Sequence, residues 1–155
     1  MTGRRRFLAL TGALAATPGV AQLPPGIAEM RRVALDDAVR RVVGGATPRT
    51  GRVKLDLPPL IDNGNSVPIT VSVDSPMTAA DHVKAIHVFT EKNPQPGVLA
   101  ARLGPRAGQA RISTRARIAD SGRVIAIAEM SDGSFWTETV SVVVILSACL
   151  EDGLI

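Results

Sequence analysis

Residues 110–119 read Ala110-Arg111-Ile112-Ser113-Thr114-Arg115-Ala116-Arg117-Ile118-Ala119, and the alternation in this stretch is that of a strand. Successive side chains of a strand point to opposite faces. Ala110, Ile112, Thr114, Ala116 and Ile118 therefore share one face, and Arg111, Ser113, Arg115 and Arg117 the other. A row of three arginines on an exposed face protects a sheet against pairing with a foreign edge. An anion or partner contact is the functional alternative.

Outward from this stretch, short β-branched runs recur on both sides. They cover Arg52 to Leu57, Ser66 to Val73, His82 to Glu91, Val98 to Leu103, Arg123 to Met130 and Phe135 to Leu146. Turn residues separate them: Pro58-Pro59, Asn63-Gly64-Asn65, Ser75-Pro76, Asn93-Pro94-Gln95-Pro96-Gly97, Gly104-Pro105, Ser121-Gly122 and Asp132-Gly133. Seven strands at this spacing predict an all-β fold, an immunoglobulin-like antiparallel β-sandwich. Before them the rhythm is helical. Ile27, Met30, Ala34, Ala38 and Val42 recur at steps of three and four, with Arg31, Arg32, Asp36, Asp37, Arg40 and Arg41 between them. This predicts one amphipathic N-terminal helix over Ile27 to Val43, stopped by Gly44-Gly45, with the charges on a solvated face.

The 155 residues make one domain the default, with 45% apolar residues arguing against disorder. The formal charge of +4 is misleading as a sign of nucleic-acid binding. Without Arg4, Arg5 and Arg6, 15 basic residues face 14 acidic ones, and the chain holds only three Phe and one Trp for stacking. Those three arginines head a segment that reads as an export address: Arg4-Arg5-Arg6-Phe7-Leu8, an apolar run to Val20, and small residues Gly19 and Ala21 before a cleavage point after Ala21. Arg4, Arg5, Phe7 and Leu8 match a twin-arginine signal, with Gly3 where Ser or Thr is commoner. Residues 1–21 are too short an apolar run, interrupted by Pro18 and Gly19, for stable membrane insertion. The expected compartment is the periplasm.

Most catalytic constellations are missing. There is no Gly-rich phosphate loop, no GxSxG, no HExxH and no CxxC, so no catalytic residue and no metal ligand is assigned and no cofactor is expected. His82 and His87 fall on opposite faces of a predicted strand and read as ordinary strand residues. Phe135-Trp136 reads as core packing at the start of the last strand. Asp56, Asp74 and Glu91 are scattered among turns and form no acid/base pair. Cys149, the sole cysteine, stands just past the apolar run Val140 to Leu146. From position alone it is either a thiol on a tail or a small apolar cap on the sandwich, and an odd cysteine in an exported chain points to a reactive thiol or an intermolecular disulfide.

Several blocks, in order, resemble the SoxY family of thiosulfate-oxidation sulfur carriers. They are Arg52-Val53-Lys54-Leu55-Asp56-Leu57-Pro58, Asp62-Asn63-Gly64-Asn65-Ser66-Val67-Pro68-Ile69, Val71-Ser72-Val73-Asp74-Ser75-Pro76-Met77, Ile86-His87-Val88-Phe89-Thr90-Glu91-Lys92-Asn93-Pro94, Leu103-Gly104-Pro105-Arg106 and Ala128-Glu129-Met130-Ser131-Asp132-Gly133-Ser134-Phe135-Trp136. The resemblance runs from about Ala28 to Leu146. It implies a sandwich paired with a SoxZ-like subunit in a heterodimer, and a covalent sulfur adduct on Cys149 presented to sulfur-oxidising periplasmic enzymes. It also implies a carrier rather than an enzyme. SoxY proteins end in a Gly-Gly-Cys-Gly-Gly arm, whereas here the arm is Ser147-Ala148-Cys149-Leu150-Glu151. That is more similar to SoxY-related proteins with an Ala-Ala-Cys-Ile-Glu arm. Glycine flanks bend freely and slide into narrow clefts, while Ala and Leu restrict φ and add bulk, so a different arm implies a different receiving pocket. The acids Glu151 and Asp152 disfavour a thiolate beside them, which leaves activation to the enzyme that receives the arm. The expected organisation is then an export signal over 1–21, a helix within 22–45, a SoxY-like sandwich over 46–146 and a cysteine arm over 147–155. The competing expectation is a non-catalytic pairing or assembly module in which Cys149 is structural.

Overall fold

The computed structural model describes residues 26–147. Helix α1 spans Ile27–Val43, the bounds that periodicity and the glycine pair predict. Gly44 ends it at φ 61°, a conformation that costs a residue with a Cβ, and its N–H donates to the Arg40 carbonyl. Eight strands follow: β1 Val53–Asp56, β2 Leu60–Asn63, β3 Val67–Val73, β4 Val83–Thr90, β5 Gly97–Arg102, β6 Arg111–Ala116, β7 Gly122–Met130 and β8 Phe135–Leu146. They form two sheets, β1-β3-β6 and β2-β8-β7-β4-β5. The β-sandwich expected from the turn spacing is therefore the architecture found.

Two sequence expectations need correction here. Strand β2 makes an eighth, and it runs parallel to β8, with Leu60 opposite Val143, Ile61 opposite Val144 and Asn63 opposite Leu146. Four residues between Pro58-Pro59 and a turn are too few to show alternation. The pairing itself joins segments some 80 residues apart, which no local pattern can show. The second correction is the buried face of α1. Ile27, Met30 and Val33 are exposed, while Leu35 and Ala38 are buried. Among the described residues, the helix packs on the sheet through its C-terminal half, Leu35 to Val43.

The main core lies between the sheets. Val67, Ile69, Val71 and Val73 of β3 meet Ile86 and Val88 of β4, Val124, Ala126 and Ala128 of β7, and Val142 and Val144 of β8. Alternate residues of β7 and β8 point the other way, onto the outer face of the larger sheet. There α1 makes a second, smaller cluster: Leu35 and Ala38 pack on Phe89 and Ile127, with Val39, Val42, Ile125 and Phe135 around them. Glu29, Arg32, Asp36, Asp37 and Arg40 form exposed ion pairs on the solvent side of the helix. That is the solvated charged face read from the sequence.

Strand β6 is an edge of the smaller sheet. Arg111, Ser113 and Arg115 are exposed, and Arg115 donates to the Ser66 carbonyl at 3.1 Å. Thr114, expected to share the buried face, is exposed too, and Ile112 and Ala116 are only half-buried. Edge position is where a charged row blocks further pairing.

Candidate functional site

The end of β8 is the candidate site, because Cys149 follows it by three residues. Cys149 itself lies outside the described residues, with Ala148, Leu150 and Glu151; Ser147, half-buried, is the last described residue. The leader residues Arg4, Arg5, Phe7 and Leu8 lie outside them as well.

The strand is held to its last residue on one side and as far as Val144 on the other. On one side, the Val143 N–H donates to the Pro59 carbonyl and the Gly64 N–H to the Leu146 carbonyl, both at 2.9 Å. On the other, β7 begins at Gly122 opposite Val142. Just ahead of it, the Ser121 hydroxyl accepts from the Val144 N–H at 2.9 Å and lies 3.4 Å from the Val144 carbonyl. Fraying the end of β8 would break these bonds, so the reach of anything beyond it is set by the residues after Leu146. Three steps of chain span at most about 10 Å when fully extended.

The side chains here are apolar and uncovered. Leu60, Val143, Ile145 and Leu146 are 57%, 55%, 65% and 55% exposed. These residues escaped the sequence reading: a run as apolar as Val140 to Leu146 hides which of its faces is bare. Only the polar Thr137, Thr139 and Ser141 at alternate positions mark a side that is not core.

The other residues singled out in the sequence form no second site. His82 precedes β4; its N–H donates to the Ser131 hydroxyl and its Nδ1 sits 3.1 Å from the Thr78 carbonyl oxygen. His87 lies on the outer face of β4 in a groove with Arg41 and Val42 of the helix. Burial holds its pKa below the ordinary value, with Glu129 opposing and Arg102 reinforcing that effect. Trp136 packs against the main core under two guanidinium groups, Arg49 at 4.5 Å and Arg52 at 5.5 Å from the ring centre. Its partner Phe135 packs on the helix cluster, so the pair is structural. Glu91 accepts from Arg123, which keeps its carboxyl below the usual range. Among the described residues, no group of three or more His, Cys, Asp or Glu could hold a metal ion. None of the described helices is long and apolar enough to cross a membrane.

The family model for the sulfur oxidation protein SoxY matches residues 39–149, from within α1 to the cysteine itself. The chain belongs to the SoxY family. Its structure is similar to that of the sulfur carrier protein SoxY from Chlorobium limicola f thiosulfatophilum, with a TM-score of 0.61 and 24% identity over 74% of this chain and 98% of that one. It is also similar to the superoxide reductase (neelaredoxin) from Ignicoccus hospitalis, with a TM-score of 0.55 and 18% identity over 61% of this chain and 80% of that one. At these identities the likeness is one of fold. Curated proteins give no significant sequence match.

Proposed function

We propose that this SoxY-family chain is a periplasmic sulfur carrier that holds sulfur intermediates covalently on Cys149 and presents them to partner enzymes. What supports this reading is that the family match ends at residue 149 and that Cys149 follows, three residues on in the sequence, a strand tied down to its last residue, a tether of at most about 10 Å. The scaffold then supplies no chemistry beyond a thiol on a short tether, and the redox and hydrolytic steps belong to the enzymes it visits.

Two loading steps balance. Transfer of a sulfane sulfur from a donor persulfide forms one S–S bond to Cys149 and breaks another, releasing the donor thiolate with no net electron flow. Oxidative coupling of the Cys149 thiolate to the outer sulfur of thiosulfate forms an S–S bond and releases two electrons, which a redox enzyme must accept. In this reading the residues Ser147, Ala148, Leu150 and Glu151 make an arm bulkier than one flanked by glycine, and the pocket that receives it is correspondingly wider. Residues 1–21 serve as a twin-arginine leader, and a SoxZ-like subunit completes a heterodimer that can be exported folded. No cofactor beyond the sulfur adduct is required.

Cys149→Ser in the native host tests the proposal. Oxidation of reduced sulfur should be abolished while the purified variant unfolds at the wild-type urea midpoint. Oxidation at the wild-type rate would leave the chain a pairing module with a structural cysteine.

A further inference from the structure

We infer that the outer face of the β2–β8 edge, made by Leu60, Val143 and Ile145 with Leu146 beside them, is the surface on which the enzyme that exchanges sulfur with Cys149 docks. This rests on the carrier reading above, and deepens it by naming where the enzyme sits.

Along the outer face of β8 the residues are Phe135, Thr137, Thr139, Ser141, Val143 and Ile145. Phe135 packs against the helix cluster. Thr139 and Ser141 are polar and exposed, as a solvent face should be. At Val143 the face turns apolar again, with no part of α1 over it, and Leu60 of β2 lies directly across from Val143. The change of character falls at Val143, four residues before the arm begins at Ser147. The backbone is held by the bonds of Pro59, Gly64 and Ser121 to β8, so the patch exists before any partner arrives.

Reach then makes the contact obligatory. A sulfur on a tether of at most about 10 Å from Leu146 can enter an enzyme pocket only if the rim of that pocket comes down on the end of β8. Three half-exposed side chains of this face, Leu60, Val143 and Ile145, amount to an apolar patch on the order of a few hundred Å² at most. That is well below the roughly 800 Å² per partner of a standard stable interface, and it suits an enzyme that must let go after each transfer. Asp62 follows on β2 and Asp120 is exposed next to Ser121, neither 60–63 nor 139–146 contains a basic residue, and Arg123, opposite Ser141 on β7, is ion-paired with Glu91. The partner this fits has an apolar pocket rim flanked by basic side chains.

The test is the adduct on Cys149, read by intact-mass spectrometry of full-length chains expressed in the native host on thiosulfate. The variants are Ile145→Glu, the milder Ile145→Thr, and Val33→Glu on the exposed part of α1 as a control. Purified variants should keep the wild-type urea midpoint, and iodoacetamide should alkylate Cys149 within twofold of the wild-type rate. The adduct should fall at least tenfold in Ile145→Glu and about threefold in Ile145→Thr, and stay within twofold in Val33→Glu. A full adduct on both Ile145 variants overturns the docking surface and leaves the carrier standing. Equal loss in Val33→Glu overturns it too. A bare thiol on the wild type overturns the carrier reading, and the docking surface with it.

Discussion

Leu35→Ala tests how the helix is attached. Leu35 is 1% exposed and sits at the centre of a cluster whose other buried members are Ala38, Phe89 and Ile127. Removing a buried leucine side chain costs about 2–5 kcal/mol, depending on how far the surroundings close over the space left. Here a surface groove lined by Leu35, Val39, Val43 and Ile125 runs alongside, so neighbours can settle inward. The lower part of the range applies, about 2–3 kcal/mol. At about 3–5 °C per kcal/mol for a domain of this size, the melting temperature should fall by about 6–15 °C. Val33→Ala, two residues away but 47% exposed, should change stability by less than about 0.5 kcal/mol. Urea unfolding followed both by far-UV ellipticity and by the fluorescence of the single Trp136 should give coincident transitions shifted together. An unmoved Trp136 transition in Leu35→Ala, or a Val33→Ala loss as large as that of Leu35→Ala, would refute this reasoning.

Thr90 is 1% exposed, and its Oγ1 has no hydrogen-bond partner among the described residues. Thr90→Val keeps the shape and removes the stranded hydroxyl, so urea unfolding should show an unchanged or higher midpoint, by up to about 1 kcal/mol; a loss of that size would mean the hydroxyl is bonded. His87 is held below the ordinary histidine pKa of about 6.5 by burial, so the unfolded chain takes up its proton first as pH falls. Its contribution is complete above about pH 6.5 and is lost as pH drops from there toward the lower folded-state pKa. His87→Gln should flatten this part of the stability profile, and parallel profiles for variant and wild type would contradict the assignment.

The sandwich was legible because each strand carries its own punctuation. Pro58-Pro59, Asn63-Gly64-Asn65 and Asp132-Gly133 bracket runs whose alternation shows one face inward, and Gly44 marks the helix end by the φ it adopts. What local pattern lacks is the extent of the neighbour. Ile27 and Met30 repeat with helical spacing as regularly as Leu35 and Ala38, yet only the latter have a sheet beneath them. The same blindness hid β2, which exists through a parallel partner distant in sequence. At the site, Cys149 was found by elimination and by family resemblance. The bare face beside it was concealed within a run of Val140 to Leu146 that reads as buried throughout. Its exposure follows from the course of α1, which covers Ile127 and Phe89 and leaves Val143 and Ile145 open.

The most direct measurement is the mass of the chain isolated from its native compartment during growth on reduced sulfur, under conditions that preserve persulfides. An increment of one sulfur or of a thiosulfate group, removed by a thiol reductant and absent from Cys149→Ser, is the expected result. A free thiol throughout, or a disulfide to a second chain as the only modification of Cys149, would contradict the sulfur-carrier account.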